Sequence, residues 1–215
     1  MNNHGILTVI SGFAGSGKGT LVKSLLQQYD YSLSISATTR APRPGEEHGR
    51  EYFFLTREEF EAMIEKGELI EWAEYVGNYY GTPKTYVEEQ LKAGKNVILE
   101  IEVQGALNVK KLFPEALLIF LTPPSAEELR NRLVGRGTED TETVNKRMAR
   151  AIEESRCMTE YDCVVINDKI EDCVSEVHEI ISKTKQNGKE AADLEKQKQL
   201  IEKLNAELSA LEPLK

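Results

Sequence analysis

The run Gly12-Phe13-Ala14-Gly15-Ser16-Gly17-Lys18-Gly19-Thr20 gathers three chemical resources in one short stretch. Its glycines leave successive backbone N–H groups free to converge on an anion. Lys18 adds a mobile point charge suited to the β- and γ-phosphates of a nucleoside triphosphate. Thr20 adds a hydroxyl, a hard oxygen donor for Mg²⁺ or its water shell. A β-branched apolar run, Ile6-Leu7-Thr8-Val9-Ile10, leads in, and Leu21, Val22, Leu25 and Leu26 follow at helical spacing. A strand, a glycine-rich turn and a helix N-terminus with its partial positive charge make the context that a phosphate loop needs. The common form of the loop has Ser or Thr directly after the lysine. Here Gly19 stands there, so Thr20 becomes the candidate hydroxyl on the metal side. Such a loop serves GTPases, ATPases and kinases alike.

The second substrate has to be read elsewhere. Arg40 and Arg43 lie three residues apart in a loop stiffened by Pro42 and Pro44, a pairing that suits a phosphate dianion. Taken alone, the loop also fits a surface turn with solvated arginines. Tyr52 and Tyr80 offer uncharged hydroxyl donors. Glu100 follows the buried run Val97-Ile98-Leu99, which sets its carboxylate at the carboxyl end of a strand, where open α/β sheets bind ligands. Glu102, two residues on, points to the same side if the strand continues. Arg132 and Arg136, spaced i, i+4, share a helix face, and Arg147 is a third candidate in the same charged stretch.

These groups need elements to hold them. Besides the opening run, Val97-Ile98-Leu99, Leu117-Leu118-Ile119-Phe120-Leu121 and Val164-Val165-Ile166 read as buried strands. Between them lie helical signals: Ser125-Ala126-Glu127-Glu128 is a capping box, and Val174, Val177, Ile180 and Ile181 form an apolar helix face. Alternating strands and helices predict an α/β fold with a mostly parallel sheet wrapped by helices. Residues 1–33 and 94–186 make up this core. Residues 34–93, rich in Tyr, Glu and Arg and carrying a capping box at Thr56, read as an inserted subdomain. Residues 126–156 read as a mobile helical hairpin within the core. From 187 to 215 the pattern changes again. Leu194, Ile201 and Leu208, with Leu204 and Leu211, repeat at heptad spacing, which predicts a helix docked on its own domain or frayed, with a dimerising coil as the alternative.

Composition bounds the function class. With 215 residues and 40% hydrophobic content the chain can bury a core of its own. A net charge of −9 argues against general nucleic-acid binding, which needs a basic face. No stretch approaches the ~20 apolar residues that span a bilayer, and the N-terminus lacks the pattern of a signal peptide. Cys157, Cys163 and Cys173 are odd in number and have no metal-ligand spacing, which predicts reduced thiols in the cytoplasm. The sequence does not set the oligomeric state, so self-association stays open.

The chain resembles the guanylate kinase family across roughly residues 5 to 185. The likeness is carried by Gly12 to Thr20, Ser36 to Glu46, Ile70-Glu71-Trp72, Gly77 to Thr82, Glu100 to Gly105 and Gly135-Arg136-Gly137-Thr138, in the family's order. The resemblance implies a P-loop core with an inserted GMP-binding subdomain and a helical lid. It implies Mg²⁺-dependent phosphoryl transfer from ATP to GMP, in guanine nucleotide synthesis and recycling. Arg40, Arg43, Tyr52 and Tyr80 would hold the GMP phosphate, and Ser36, Glu71 and Thr82 would read guanine. Guanine's adjacent N1–H and N2–H₂ donors suit one carboxylate, whereas adenine would leave a buried Glu71 with an unpaired charge. Glu100 and Glu102 would stand between metal and acceptor, with which of them meets the metal left open. Lys18, Arg132, Arg136 and Arg147 would meet charge on the transferring group, and Asn167 would contact adenine. Two alternatives remain: a kinase for another nucleoside monophosphate, and a non-catalytic guanylate-kinase-like module that binds phosphopeptides.

Overall fold

The computed structural model describes residues 4–75, 77–135, 140–189 and 194–214. The opening apolar run forms β1 (Leu7–Gly12), buried along its whole length. After the glycine loop come α1 (Lys18–Gln28), β2 (Tyr31–Leu33), β3 (Ala37–Thr38), β4 (Phe53–Phe54) and α2 (Arg57–Glu65). Next are β5 (Leu69–Tyr75), β6 (Asn78–Pro83), α3 (Lys84–Lys92), β7 (Asn96–Glu100), α4 (Val103–Leu112) and β8 (Leu117–Thr122). The chain continues through α5 (Ala126–Val134), α6 (Thr141–Ser155), a 3₁₀ turn at Met158–Glu160, β9 (Cys163–Ile166), α7 (Ile170–Asn187) and α8 (Leu194–Ala210).

The central sheet is wholly parallel, in the order β2-β7-β1-β8-β9, as the alternating pattern predicts. The period of two along each strand sends side chains to both faces. Val9, Leu99, Leu118 and Phe120 pack on one side, and Ile10, Ile98, Ile119 and Leu121 on the other. The second side is covered by α1 and α7 through Leu21, Val22, Leu25, Val174, Val177 and Ile181. β2 escapes a sequence reading because it is an edge strand of half-buried residues with no apolar run.

A second sheet, in the order β4-β3-β6-β5, forms within residues 34–93. Helix α2 closes it with Phe60 fully buried, started by a capping box in which Thr56 and Glu59 bond reciprocally. Helix α3 lies within the same span of sequence but buries Val87 in the main core instead.

Two local expectations change. β7 ends at Glu100, so Glu102 does not continue the strand; it precedes α4 in the N-cap position. The box at Ser125 is half formed. Ser125 Oγ accepts from Glu128 N at 3.1 Å, but Glu128 turns its carboxylate to Arg132. Glu207, from α8, accepts from Ala126 N at 3.0 Å instead.

That contact belongs to a wider docking. α8 lies against α5, α6 and the 3₁₀ turn, burying Ile201, Leu204 and Leu208 in the main core. Asn145 on α6 makes two bonds to the Leu214 backbone, Nδ2 to O at 3.0 Å and N to Oδ1 at 2.9 Å. The heptad leucines are therefore spent inside the chain. The side chain of Leu194 lies outside the described residues. Leu204 is 1% exposed, so Leu204→Ala is expected to cost about 2–5 kcal/mol of stability in chemical denaturation. A loss below about 0.5 kcal/mol would mean that α8 is not docked in solution.

Candidate functional site

The phosphate loop forms where β1 ends. Gly17 takes a left-handed conformation (φ 93°) as the residue before α1, and a Cβ there would run into Asn167 Nδ2. Only glycine meets both demands. Phe13, read from sequence as part of the loop, turns its ring inward. It is 1% exposed and packs edge-on against Phe120 at 4.9 Å, so the loop has only its backbone. Ser16 is buried, its N–H donating to Phe13 O at 3.0 Å, while its Oγ has no partner among the described residues. Ala14 and Gly15 complete the turn. Asn167 is buried after β9, and its Nδ2 donates to Ser16 O at 2.9 Å. One N–H of its amide thus clamps the loop.

Lys18 folds back over this loop. Its Nζ donates to Gly12 O at 2.7 Å and Phe13 O at 3.2 Å. Gly19 and Thr20 are exposed at the start of α1. A Cβ on Gly19 would lie 3.6 Å from Glu100 Oε1, so the glycine after the lysine is where the Glu100 carboxylate comes up against the helix. The parallel register that pairs Ile10 with Glu100 puts it there. The carboxylate is open to solvent but ringed by protein. This partial desolvation raises its pKa above the usual range, with Lys18 opposing and Glu102 reinforcing.

The second sheet carries the other polar cluster. Arg40 follows β3, and both of its 3.0 Å bonds from Nη2 go to Glu46, whose Oε2 also accepts from Arg43 N at 2.7 Å. Its guanidinium lies over the rings of Tyr52 and Phe54, at 5.4 and 5.8 Å. Arg43 itself is exposed. Tyr52 and Tyr80 meet edge to face at 6.2 Å. Burial pushes the Tyr52 hydroxyl pKa up; the nearby Tyr80 hydroxyl adds, Arg40 opposes, and Glu46 and Glu100 add further. Glu100 is therefore felt from both sides, by Lys18 on the loop and by Tyr52 beside Arg40. It lies within electrostatic reach of both clusters.

Glu71 sits deeper, where the β5–β6 register shifts between Leu69 and Trp72. Such an irregularity re-aims a side chain. Thr82, fully buried on β6, donates to Glu71 Oε1 at 2.7 Å. The carboxylate approaches Gly105 of α4 so closely that a Cβ there would lie 2.9 Å from Oε2. Burial raises the Glu71 pKa, and the bond from Thr82 opposes this. Ser36 is half-buried beside β3, its carbonyl accepting from Phe53 N at 2.9 Å.

The charged hairpin contributes Arg132, whose Nε bonds Glu128 Oε1 at 2.7 Å on its own helix, and Arg147, half-buried on α6. Arg136 lies outside the described residues, as do Gly137 and Thr138. Sequence reasoning missed Glu46 as the partner of Arg40, although its place three residues after Arg43 is a turn spacing. It also missed Gly105 as the space for Glu71, and Arg150 with Glu154, which pair at 2.8 Å on α6. The buried thiols of Cys163 and Cys173 take no part, since burial pushes both up to about 12.

A family model described as guanylate kinase matches residues 5–184. A guanylate kinase of Shouchella clausii is 55% identical over 199 residues, covering 92% of this chain and 96% of its own. That of Bacillus subtilis is 53% identical over 183 residues, covering 84% and 90%. The crystal structure of guanylate kinase from Anaplasma phagocytophilum matches with a TM-score of 0.70 at 32% identity, covering 94% of this chain and 96% of that one. The phosphate loop, the arginine pair and the half-buried Glu71 carboxylate thus lie in one continuous likeness, and the chain belongs to the guanylate kinase family.

Proposed function

We propose that this chain transfers the γ-phosphoryl group of ATP to GMP, with the loop at Lys18 as donor site and the second sheet as acceptor site. The observation that carries the reading is Glu71, a half-buried, desolvated carboxylate held by Thr82. Guanine can give it two donors at once; adenine leaves it unpaired. Ser36 and Thr82 line the same base site. Arg40, Arg43, Tyr52 and Tyr80 take the GMP phosphate, which displaces Glu46 from Arg40.

On the donor side, the loop N–H groups and α1 hold the ATP phosphates, and Lys18 exchanges its carbonyl partners for them. Glu100 comes up against Gly19, the residue before Thr20, and a carboxylate and a hydroxyl are hard oxygen donors that suit Mg²⁺. No group of three or more His, Cys, Asp or Glu gathers among the described residues. That fits an ion shared with phosphates and water rather than caged by protein. Bound there, Mg²⁺ supplies charge neutralisation to the phosphates. Glu102 lies on the acceptor side. Arg132, Arg136 and Arg147 close over the phosphates, so Arg132 has to leave Glu128. Asn167 supports the donor site by clamping the loop at Ser16, and its remaining amide atoms serve the adenine end of ATP. The acceptor oxygen of GMP is already anionic, so positioning and charge neutralisation carry the step without a strong base.

In domain terms, residues 34–93 supply the acceptor site, and 1–33 with 94–186 the donor site and lid. The free thiols fit a reducing cytoplasm, and no helix among the described residues is long and apolar enough to cross a membrane.

An assay of ADP formation with ATP, Mg²⁺ and GMP tests the activity directly; no turnover with GMP would refute it. Glu71→Gln is expected to raise the GMP KM at least about tenfold, while the ATP KM stays put. An unchanged GMP KM would remove Glu71 from base reading. The same variant tests the cost of the site. Burial raises the folded-state pKa of Glu71, so its contribution to stability is present at low pH and lost as pH rises through that value. At neutral pH Glu71→Gln should therefore leave Tm unchanged or higher. In the parent enzyme, the GMP KM should begin to climb on acidification at a pH above that of an ordinary glutamate. Arg147→Met should depress kcat more than either KM; a pure KM effect would make Arg147 a binding residue.

A further inference from the structure

Arg150 lies on α6, three residues beyond Arg147, and faces a different set of groups. Its Nε donates to Glu154 Oε1 at 2.8 Å, and its Nη2 lies 3.5 Å from Glu102 Oε2. The two partners differ in setting. Glu154 is 8% exposed, whereas Glu102 is open at the residue before α4. One guanidinium therefore spans from an interior anchor on the hairpin to the acceptor side of the cleft. A planar fork is suited to such a bridge, and an ammonium is not.

Charge gives the bridge a task. Burial is the main cause of the raised pKa of both Glu100 and Glu154, and of the nearby charges Glu102 adds to each while Lys18 opposes each. Lys18 is thus a shared counter-charge, and it is the group that a bound triphosphate would draw away. Arg150 is anchored independently of the loop and stays with the carboxylates when Lys18 leaves. An acceptor dianion arriving beside unbalanced carboxylates would be repelled.

We propose that Arg150 is a positioning residue for the acceptor: anchored by Glu154, it holds the Glu102 carboxylate in place and offsets carboxylate charge so that a nucleoside monophosphate can dock. The proposal rests on the reading of Glu102 as an acceptor-side residue, and deepens it.

Steady-state kinetics on the full chain test it, with Arg150→Met, Arg150→Lys, Glu102→Gln and the double variant Arg150→Met/Glu102→Gln. Arg150→Met is expected to raise the GMP KM about three- to tenfold and to move the ATP KM less than about twofold. Arg150→Lys should recover part of the loss, because it restores charge without the two-way fork. If Arg150 acts through Glu102, the double variant should be no worse than Glu102→Gln alone. A normal GMP KM in Arg150→Met, with a raised one in Glu102→Gln, would overturn the proposal and leave the acceptor reading standing. Normal values in both would overturn the acceptor reading of Glu102 and the proposal with it. Equal rises in both KM values with a lowered Tm would reduce Arg150 to a structural part of α6, which also overturns it.

Discussion

The structure depends on β1 being clamped in parallel between β7 and β8. β1 is buried on both faces and bonded on both edges, so the point where it ends is fixed relative to its neighbours. The glycine loop begins at that point, where the ladder of the sheet ends, and the Ser16 N–H turns back to Phe13 O to tighten it. The same register sets Glu100 opposite Ile10 and hence beside Gly19. The donor geometry is thus a consequence of strand pairing, and residues far from any ligand, such as Val9 and Leu118, help to define it. Asn167, after β9, adds a further constraint by fastening Ser16.

A second theme is how the chain keeps its cations satisfied before an anion arrives. Lys18 is bonded to loop carbonyls, Arg40 to Glu46 and Arg132 to Glu128. Each pairing is local in sequence and partly open to water, so each is worth little on its own and exchanges readily. Phosphate groups offer stronger, charge-assisted bonds to the same donors. Under the proposed function, binding would be an exchange of partners rather than the filling of bare charge, and the local pairs keep like charges from destabilising the folded state. Glu71 is the exception. Its carboxylate is half-buried with one hydroxyl donor, and its raised pKa shows a desolvation cost that recognition of a base would offset under the proposed function.

Much of this was legible in the sequence where chemistry needs a local pattern. The loop from Gly12 to Thr20 encodes its own turn, and the apolar runs of β1, β7, β8 and β9 announce a parallel sheet because burial on both faces removes polar alternation. The edge strand β2 was not legible, since half-buried residues leave no such signature. Counting in twos sets Glu102 on the side of Glu100 only if the strand continues, and β7 stops at Glu100, leaving Glu102 as the residue before α4. The partners of the arginines were hidden for a different reason. Glu46, Glu128 and Glu154 look like ordinary surface acids, and only their placement in space gives them a task. The leucines of α8 showed periodicity but not its target, because a heptad pattern reads the same whether the helix meets its own domain or a second chain.

The proposed donor and acceptor sites share one cleft beside Glu100. A bisubstrate analogue, adenosine and guanosine joined through an oligophosphate, would fill both at once. One analogue is expected to bind per chain, competitive against both ATP and GMP. Competition against one substrate alone, however tight the binding, would mean that the two sites do not share a cleft and would contradict this reading.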